Sequence, residues 1–191
     1  MTLLLRARAL IGRPVVTLAG DDIAEVKDVV FRTSAARLLG FTLNGRGFLA
    51  KPLDTALPWS GVHALGRDAV VISDPGVFQP VDEVLAGVRP VDRNVIGDRV
   101  LTDEGTELGE VTDVVVAVAA EGQIVGYEIA AADHPGQRRG RRHLYLPLPD
   151  TLAVSGEALV VPAAVTGYIR DDLSGFGAAV DDFRASLSGE S

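Results

Sequence analysis

A chain of 191 residues, 47% apolar and 23% charged, has the balance of a globular protein, and its length suits two small domains better than one large one. Its net charge of −8 disfavours nonspecific binding to nucleic acid or to an anionic membrane surface. The absence of cysteine excludes disulfides, thiolate catalysis and Cys-ligated metals.

The opening MTLLLRARAL places its leucines before its arginines, the reverse of a secretory signal. It also falls far short of the roughly 20 apolar residues that span a bilayer. The expectation is a cytoplasmic protein without membrane insertion. Leu3–Leu5 reads as a short strand, Pro14–Leu18 and Ile23–Arg32 as two strands about a turn at Ala19-Gly20-Asp21, and Arg37–Asn44 as a third. Gly45-Arg46-Gly47 is a tight turn from which Phe48–Lys51 pairs back. Pro58–Leu65 and Ala69–Ser73 follow as strands about the turn Gly66-Arg67-Asp68. Short strands with a turn every 8–12 residues or so indicate a sandwich or barrel.

Val81, Val84, Leu85 and Val88 recur at helical spacing and Pro90 stops them, giving a short linker helix. Asp98–Thr102, Leu108–Val118 and Gln123–Ala131 then read as strands. Val114-Val115-Val116 is apolar on both faces, which requires a barrel interior on one side and a neighbour on the other. In the tail, Leu173, Phe176, Val180, Phe183 and Leu187 form one helical stripe, with Asp171, Asp172, Asp181 and Asp182 off it. Gly175 and Gly177 weaken the first turn, so this helix is expected to begin near Ala178.

The second half rewrites the first. Ile96–Val116 aligns with Ile11–Phe31 without a gap and is identical at ten of 21 positions, far above chance. Gly40-Phe41 is answered by Gly126-Tyr127, and Leu57–Ile72 by Leu146–Val161. The copies differ most in a longer hairpin, His134–His143. The repeated order G-x-x-V-x-T-x-x-G-x-x-(I/L)-(A/G)-E-V-x-D-V-V, then G-(F/Y), then L-P and a closing strand, resembles the PRC-barrel family over residues 11–73 and 96–162. That family takes its name from the H subunit of the photosynthetic reaction centre and includes the C-terminal half of a ribosome-maturation factor.

The resemblance implies a mainly all-β fold: two tandem small antiparallel β-barrels with a short linker helix and a C-terminal helix. The boundaries follow as residues 1–76 for the first barrel, 77–93 for the linker, 94–168 for the second barrel and 169–191 for the amphipathic tail. It also implies an adaptor module without family-wide catalytic residues. This chain shows neither the membrane-spanning helix nor the separate RNA-processing domain of the two named contexts, so neither role carries over.

Gly12, Gly20, Glu25 and Asp28 recur as Gly97, Gly105, Glu110 and Asp113. Paired carboxylates can hold a cation or move a proton. Recurrence in both copies favours a folding role, with the Asp accepting backbone N–H bonds from a neighbouring turn. Arg138, Arg139, Arg141 and Arg142 cluster in the inserted hairpin beside His134 and His143. They read as a solvated loop tip or as a grip on phosphates or an acidic partner. Single-stranded nucleic acid is disfavoured, because no aromatic platform interleaves them. His63, His134 and His143 lack metal-site spacing, and no nucleophile or phosphate-loop motif occurs, so no metal, cofactor or catalytic residue is expected. Trp59 reads as core or inter-domain packing.

The tail stripe either docks on its own barrels or joins a second chain, which makes Phe176, Val180, Phe183 and Leu187 candidate partner contacts and a route to a homo-oligomer. Three functions stand on the sequence. The first is a non-enzymatic adaptor that binds another protein. The second is an RNA- or ribosome-associated factor acting through Arg138–Arg142. The third is a small-ligand or ion sensor with a site between the barrels.

Overall fold

β-Branched runs set the strands of this chain, and repeated glycines set the turns between them. The computed structural model describes residues 3–47, 49–86, 95–118, 122–132, 142–148, 153–154 and 158–188. The chain opens with β1 (Leu3–Arg6). β2 (Pro14–Thr17), β3 (Asp22–Arg32), β4 (Arg37–Asn44) and β5 (Pro52–Pro58) then form an antiparallel meander. β6 (Val62–Leu65) turns back as β7 (Val70–Ile72), which lies parallel to β2 and curls the unit closed. β8 (Gln79–Pro80) edges β5 and leads into α1 (Val81–Val84).

The second unit repeats this plan. β9 (Arg99–Thr102), β10 (Glu107–Val118), β11 (Gln123–Ala131) and β12 (His143–Pro147) are the meander. β13 (Ala153–Val154) and β14 (Ala158–Val161) follow, with β14 parallel to β9. α2 (Leu173–Ser188) ends the described chain. The result is mostly β, two barrels in tandem, and each barrel is antiparallel except for its one parallel closure.

The copies match in detail. Gly12, Gly20, Gly97 and Gly105 all sit at turns with φ between +82° and +94°, a region that penalises a side chain. Both long strands are bulged at the same place, between Val26 and Asp28 and between Val111 and Asp113. At Gly40 and at Gly126 an added Cβ would strike a carbonyl oxygen on the next strand, that of Leu57 and of Leu146. The repeated motif is therefore turns, a bulge and one close strand approach.

The units meet about a local two-fold. Arg37 pairs with Gln123, its counterpart in the other copy. Leu38 N–H donates to the Gly122 carbonyl at 2.8 Å, and Ile124 N–H donates to the Ala36 carbonyl at 2.8 Å. Half-buried Trp59 lies over Gly122, where a Cβ would come within 2.7 Å of its ring, and its ring centroid is 6.5 Å from that of Phe41. One apolar core runs through both units, from Val15, Val26 and Phe41 to Val111, Tyr127 and Leu159.

β1 leaves the unit it precedes and pairs antiparallel with β10, Leu3 opposite Val118 and Arg6 opposite Val115. Residues 3–6 thus precede the first unit in sequence and add a strand to the second. Their neighbours explain why three consecutive leucines suit a strand. Leu5 enters the barrel core, while Leu4 packs under α2 with Val115, Ala117, Phe176 and Val180. Val114 and Val116 face inward and Val115 faces α2, so the two-sided apolar strand has its neighbour in the C-terminal helix.

Several local expectations change. Residues 49–51 are not a strand, pairing resumes only at Pro52, and Phe48 lies outside the described residues. Pro58–Leu65 is not one strand, because a 3-10 turn at Trp59–Gly61 separates β5 from β6. The linker helix spans Val81–Val84, shorter than its apolar spacing suggested. α2 begins at Leu173 despite Gly175 and Gly177. Asp172 Oδ1 accepts the Gly175 N–H at 2.7 Å as an N-cap, and fully buried Phe176 anchors that first turn.

Candidate functional site

The barrel strands place one row of side chains differently in the two units. In the first unit the cross-strand row is Asp28, Thr42 and Ala56. The same row in the second unit is Asp113, Glu128 and Tyr145. A carboxylate has replaced a hydroxyl and a phenol has replaced a methyl. One register further along β12, His143 stands where the first copy has Asp54.

This altered row forms one wall of a cleft of about 520 Å³, and the end of β1 with the turn after it forms the other, through Arg6, Arg8 and Ala9. Glu128 is buried, its side chain only 6% exposed. Its Oε2 accepts from Arg6 Nη1 at 3.3 Å, and its Oε1 lies 2.7 Å from His143 Nδ1. The hydrogen bond to Glu128 raises the Arg6 guanidinium above its ordinary value, against some desolvation. A carboxylate at Nδ1 fixes the proton there and turns Nε2 of the imidazole away from Glu128.

Asp113 is also buried. Its Oδ1 accepts the backbone N–H of Arg8 at 3.1 Å and of Val114 at 2.8 Å, and its Oδ2 lies 3.3 Å from the same Arg8 nitrogen. Desolvation pushes its carboxyl up, and these two backbone bonds oppose the shift. Thr112, the bulged residue, donates its hydroxyl to the Glu128 carbonyl at 3.2 Å. Tyr145 packs on Phe176 with ring centroids 5.7 Å apart. Burial raises its phenol, and the charge of Glu128 adds to that.

The residues singled out from sequence fall in different places. Asp113 does accept the backbone bonds expected of it, but Asp28 does not share the role. Its side chain is exposed, accepts from Thr42 Oγ1 at 3.5 Å and lies 3.9 Å from Lys27 Nζ. Glu25 pairs with Arg46 at 3.1 Å, whereas Glu110 is exposed. The carboxylates recur, therefore, without a shared bonding role. Phe176, Val180 and Phe183 are buried against the chain's own second unit, and Leu187 packs beside them. They form no free stripe, because the outer faces of β1, β10, β11 and β12 already cover it. Arg142 is exposed at the start of β12, while Arg138, Arg139 and Arg141 lie outside the described residues, as does His134.

Sequence reading missed Arg6, Arg8, Glu128 and Tyr145. Glu128 and Tyr145 were visible as misfits between the copies. Arg6 and Arg8 were not, because only strand exchange brings them to the second barrel.

Among the described residues no group of three His, Asp or Glu side chains is placed to hold a metal ion. No helix among them is long and apolar enough to cross a membrane. A family model described as the PRC-barrel domain matches the chain twice, over residues 4–78 and 92–164. No curated protein matches it.

Proposed function

Because this chain belongs to the PRC-barrel domain family, with two copies in tandem, we propose that it acts as a non-enzymatic adaptor that binds another protein in the cytoplasm. The observation that supports this reading is the joint. Backbone pairing at Arg37 and Gln123 and a shared core hold the barrels in one fixed relation. Surface loops on a rigid frame are what recognition needs.

The partner surface is assigned to the β11–β12 end of the second unit, where the copies differ. The arginines Arg138, Arg139, Arg141 and Arg142 belong to this connection, so an acidic partner surface suits it. α2 serves the second barrel in this reading and is not a dimer contact. RNA as the partner has only the arginines in its favour, and the net charge of −8 opposes it.

Affinity capture from the native cytoplasm, with the intact chain beside the double variant Arg139→Glu/Arg142→Glu, tests the reading. The expected result is a protein retained by the first and lost by the second. A set of proteins retained equally by both would exclude this surface.

A further inference from the structure

We propose that the cleft between the β1 segment and the second barrel binds a small oxyanion, a carboxylate or a phosphate. The argument is a count of hydrogen-bond capacity. Both acids of the cleft are already engaged. Glu128 is held between Arg6 and His143, and Asp113 accepts the backbone N–H groups of Arg8 and Val114.

What remains to a ligand is mostly donors. Arg6 uses Nη1 on Glu128 and keeps its other N–H groups. Arg8 is exposed, and its guanidinium lines the cleft with its charge acting on Asp113. His143 commits its Nδ1 proton to Glu128, so its Nε2 is an acceptor in the neutral ring and a donor only when the ring is doubly protonated; with its side chain 48% exposed, the ring stands beside the guanidinium groups as a reporter. A cavity of about 520 Å³ whose two carboxylates are each engaged by protein donors, and whose guanidinium groups keep N–H groups to spare, favours an acceptor-only group. Two guanidinium groups favour one that is charged and bidentate.

Two further facts agree. The first barrel lacks the row, with Thr42 and Ala56 in place of Glu128 and Tyr145, so the cleft is not a requirement of the fold. Glu128 also holds Arg6 from a buried position, which pre-sets that guanidinium before a ligand arrives. In this arrangement Glu128 is a positioning residue, and Arg6 and Arg8 are the binding residues.

The test is an NMR titration of the full chain with inorganic phosphate and, separately, with acetate, against sodium chloride at matched ionic strength. Saturable shifts at the His143 ring and the Arg8 amide with either oxyanion, and not with chloride, are expected. Arg8→Gln keeps the backbone bond to Asp113 and is expected to stay folded while weakening binding by roughly tenfold or more. A response to phosphate alone assigns the phosphate class, and a response to acetate alone assigns carboxylates. The proposal is overturned by the absence of any saturable shift at millimolar anion, by an equal response to chloride, or by shifts that a folded Arg8→Gln protein reproduces unchanged.

Discussion

Ala36 and Gly122 hold the same place in the two repeats, and both adopt left-handed backbone, with φ of 49° and 57°. Each carbonyl accepts an N–H from the opposite unit, Ile124 to Ala36 and Leu38 to Gly122. The joint therefore needs this conformation twice, and only one copy uses glycine for it. Alanine in the left-handed region costs about 1–2 kcal/mol. Ala36→Gly should stabilise the protein by up to about 1 kcal/mol once glycine's larger folding entropy is set against that relief. Gly122→Ala meets the same backbone penalty and puts a Cβ within 2.7 Å of the Trp59 ring. Its expected cost is about 2–3 kcal/mol. Trp59 is the only tryptophan, so its emission should shift in Gly122→Ala and stay unchanged in Ala36→Gly. Urea unfolding of the two variants, with opposite changes in midpoint, checks the pair.

The second barrel carries a polar defect that the first lacks. Tyr127 is fully buried where the first copy has Phe41, and its hydroxyl has no hydrogen-bond partner among the described residues. Burial raises its phenol strongly, and the nearby charge of Asp98 adds to the effect. Tyr127→Phe removes the unpaired group and leaves the ring. It is expected to stabilise the protein by about 1–2 kcal/mol, the cost of an unsatisfied buried donor. Thermal or denaturant unfolding would show it, and a lower midpoint would mean that the hydroxyl has a partner.

Much of the frame was legible because its causes are local. Left-handed turns demand glycine at Gly12, Gly20, Gly97 and Gly105, and a close strand approach demands it at Gly40 and Gly126, so these positions survive in both copies. The two apolar faces of Val114–Val116 announced a neighbour, though not that α2 would be it. The cleft was legible only as a disagreement between repeats at Glu128 and Tyr145. Its second wall was not, since no local signal tells Leu3–Arg6 to pair with β10 rather than with the barrel that follows it. Long-range pairing of a short apolar strand is decided by which sheet face offers it burial on both sides. The start of α2 was misjudged for a similar reason: tertiary burial of Phe176 outweighs the weak propensity of two glycines.

Phe176 is also the test of how α2 is held. It packs on Tyr145 and Gly126, where an added Cβ would strike its ring. Phe176→Ala should cost about 3–5 kcal/mol, as for other buried aromatics. Gly126→Ala should be at least as harmful, because the Leu146 carbonyl blocks the same space. If α2 docks in cis alone, both variants lower the melting temperature while light scattering gives the same mass for the folded protein. A halved mass would show that α2 contributes to an interface as well.

Stability should also depend on pH through two buried carboxyls, and they differ in a testable way. Asp98 is buried, its Oδ2 has no partner among the described residues, and desolvation raises its carboxyl above the ordinary value. Asp113 is raised as well, again chiefly by desolvation. A carboxyl raised in the folded state binds its proton more tightly there than in the unfolded chain. Its contribution is therefore fully present below the unfolded value and is lost as pH rises through the folded one. Asp98→Asn removes the titration and breaks no side-chain bond at Oδ2. Its stability relative to the parent should grow from about pH 4 towards neutrality and then level off. Asp113→Asn should lose the same slope yet be less stable than the parent at neutral pH. The Arg8 and Val114 N–H groups share Oδ1, and the amide sets an NH2 where Oδ2 lies 3.3 Å from the Arg8 nitrogen, donor against donor, while the two bonds lose their charge. Urea midpoints of the three proteins across that pH range decide the matter. Parallel curves for parent and Asp98→Asn would show that the Asp98 carboxyl finds as much stabilisation in the fold as it does in water.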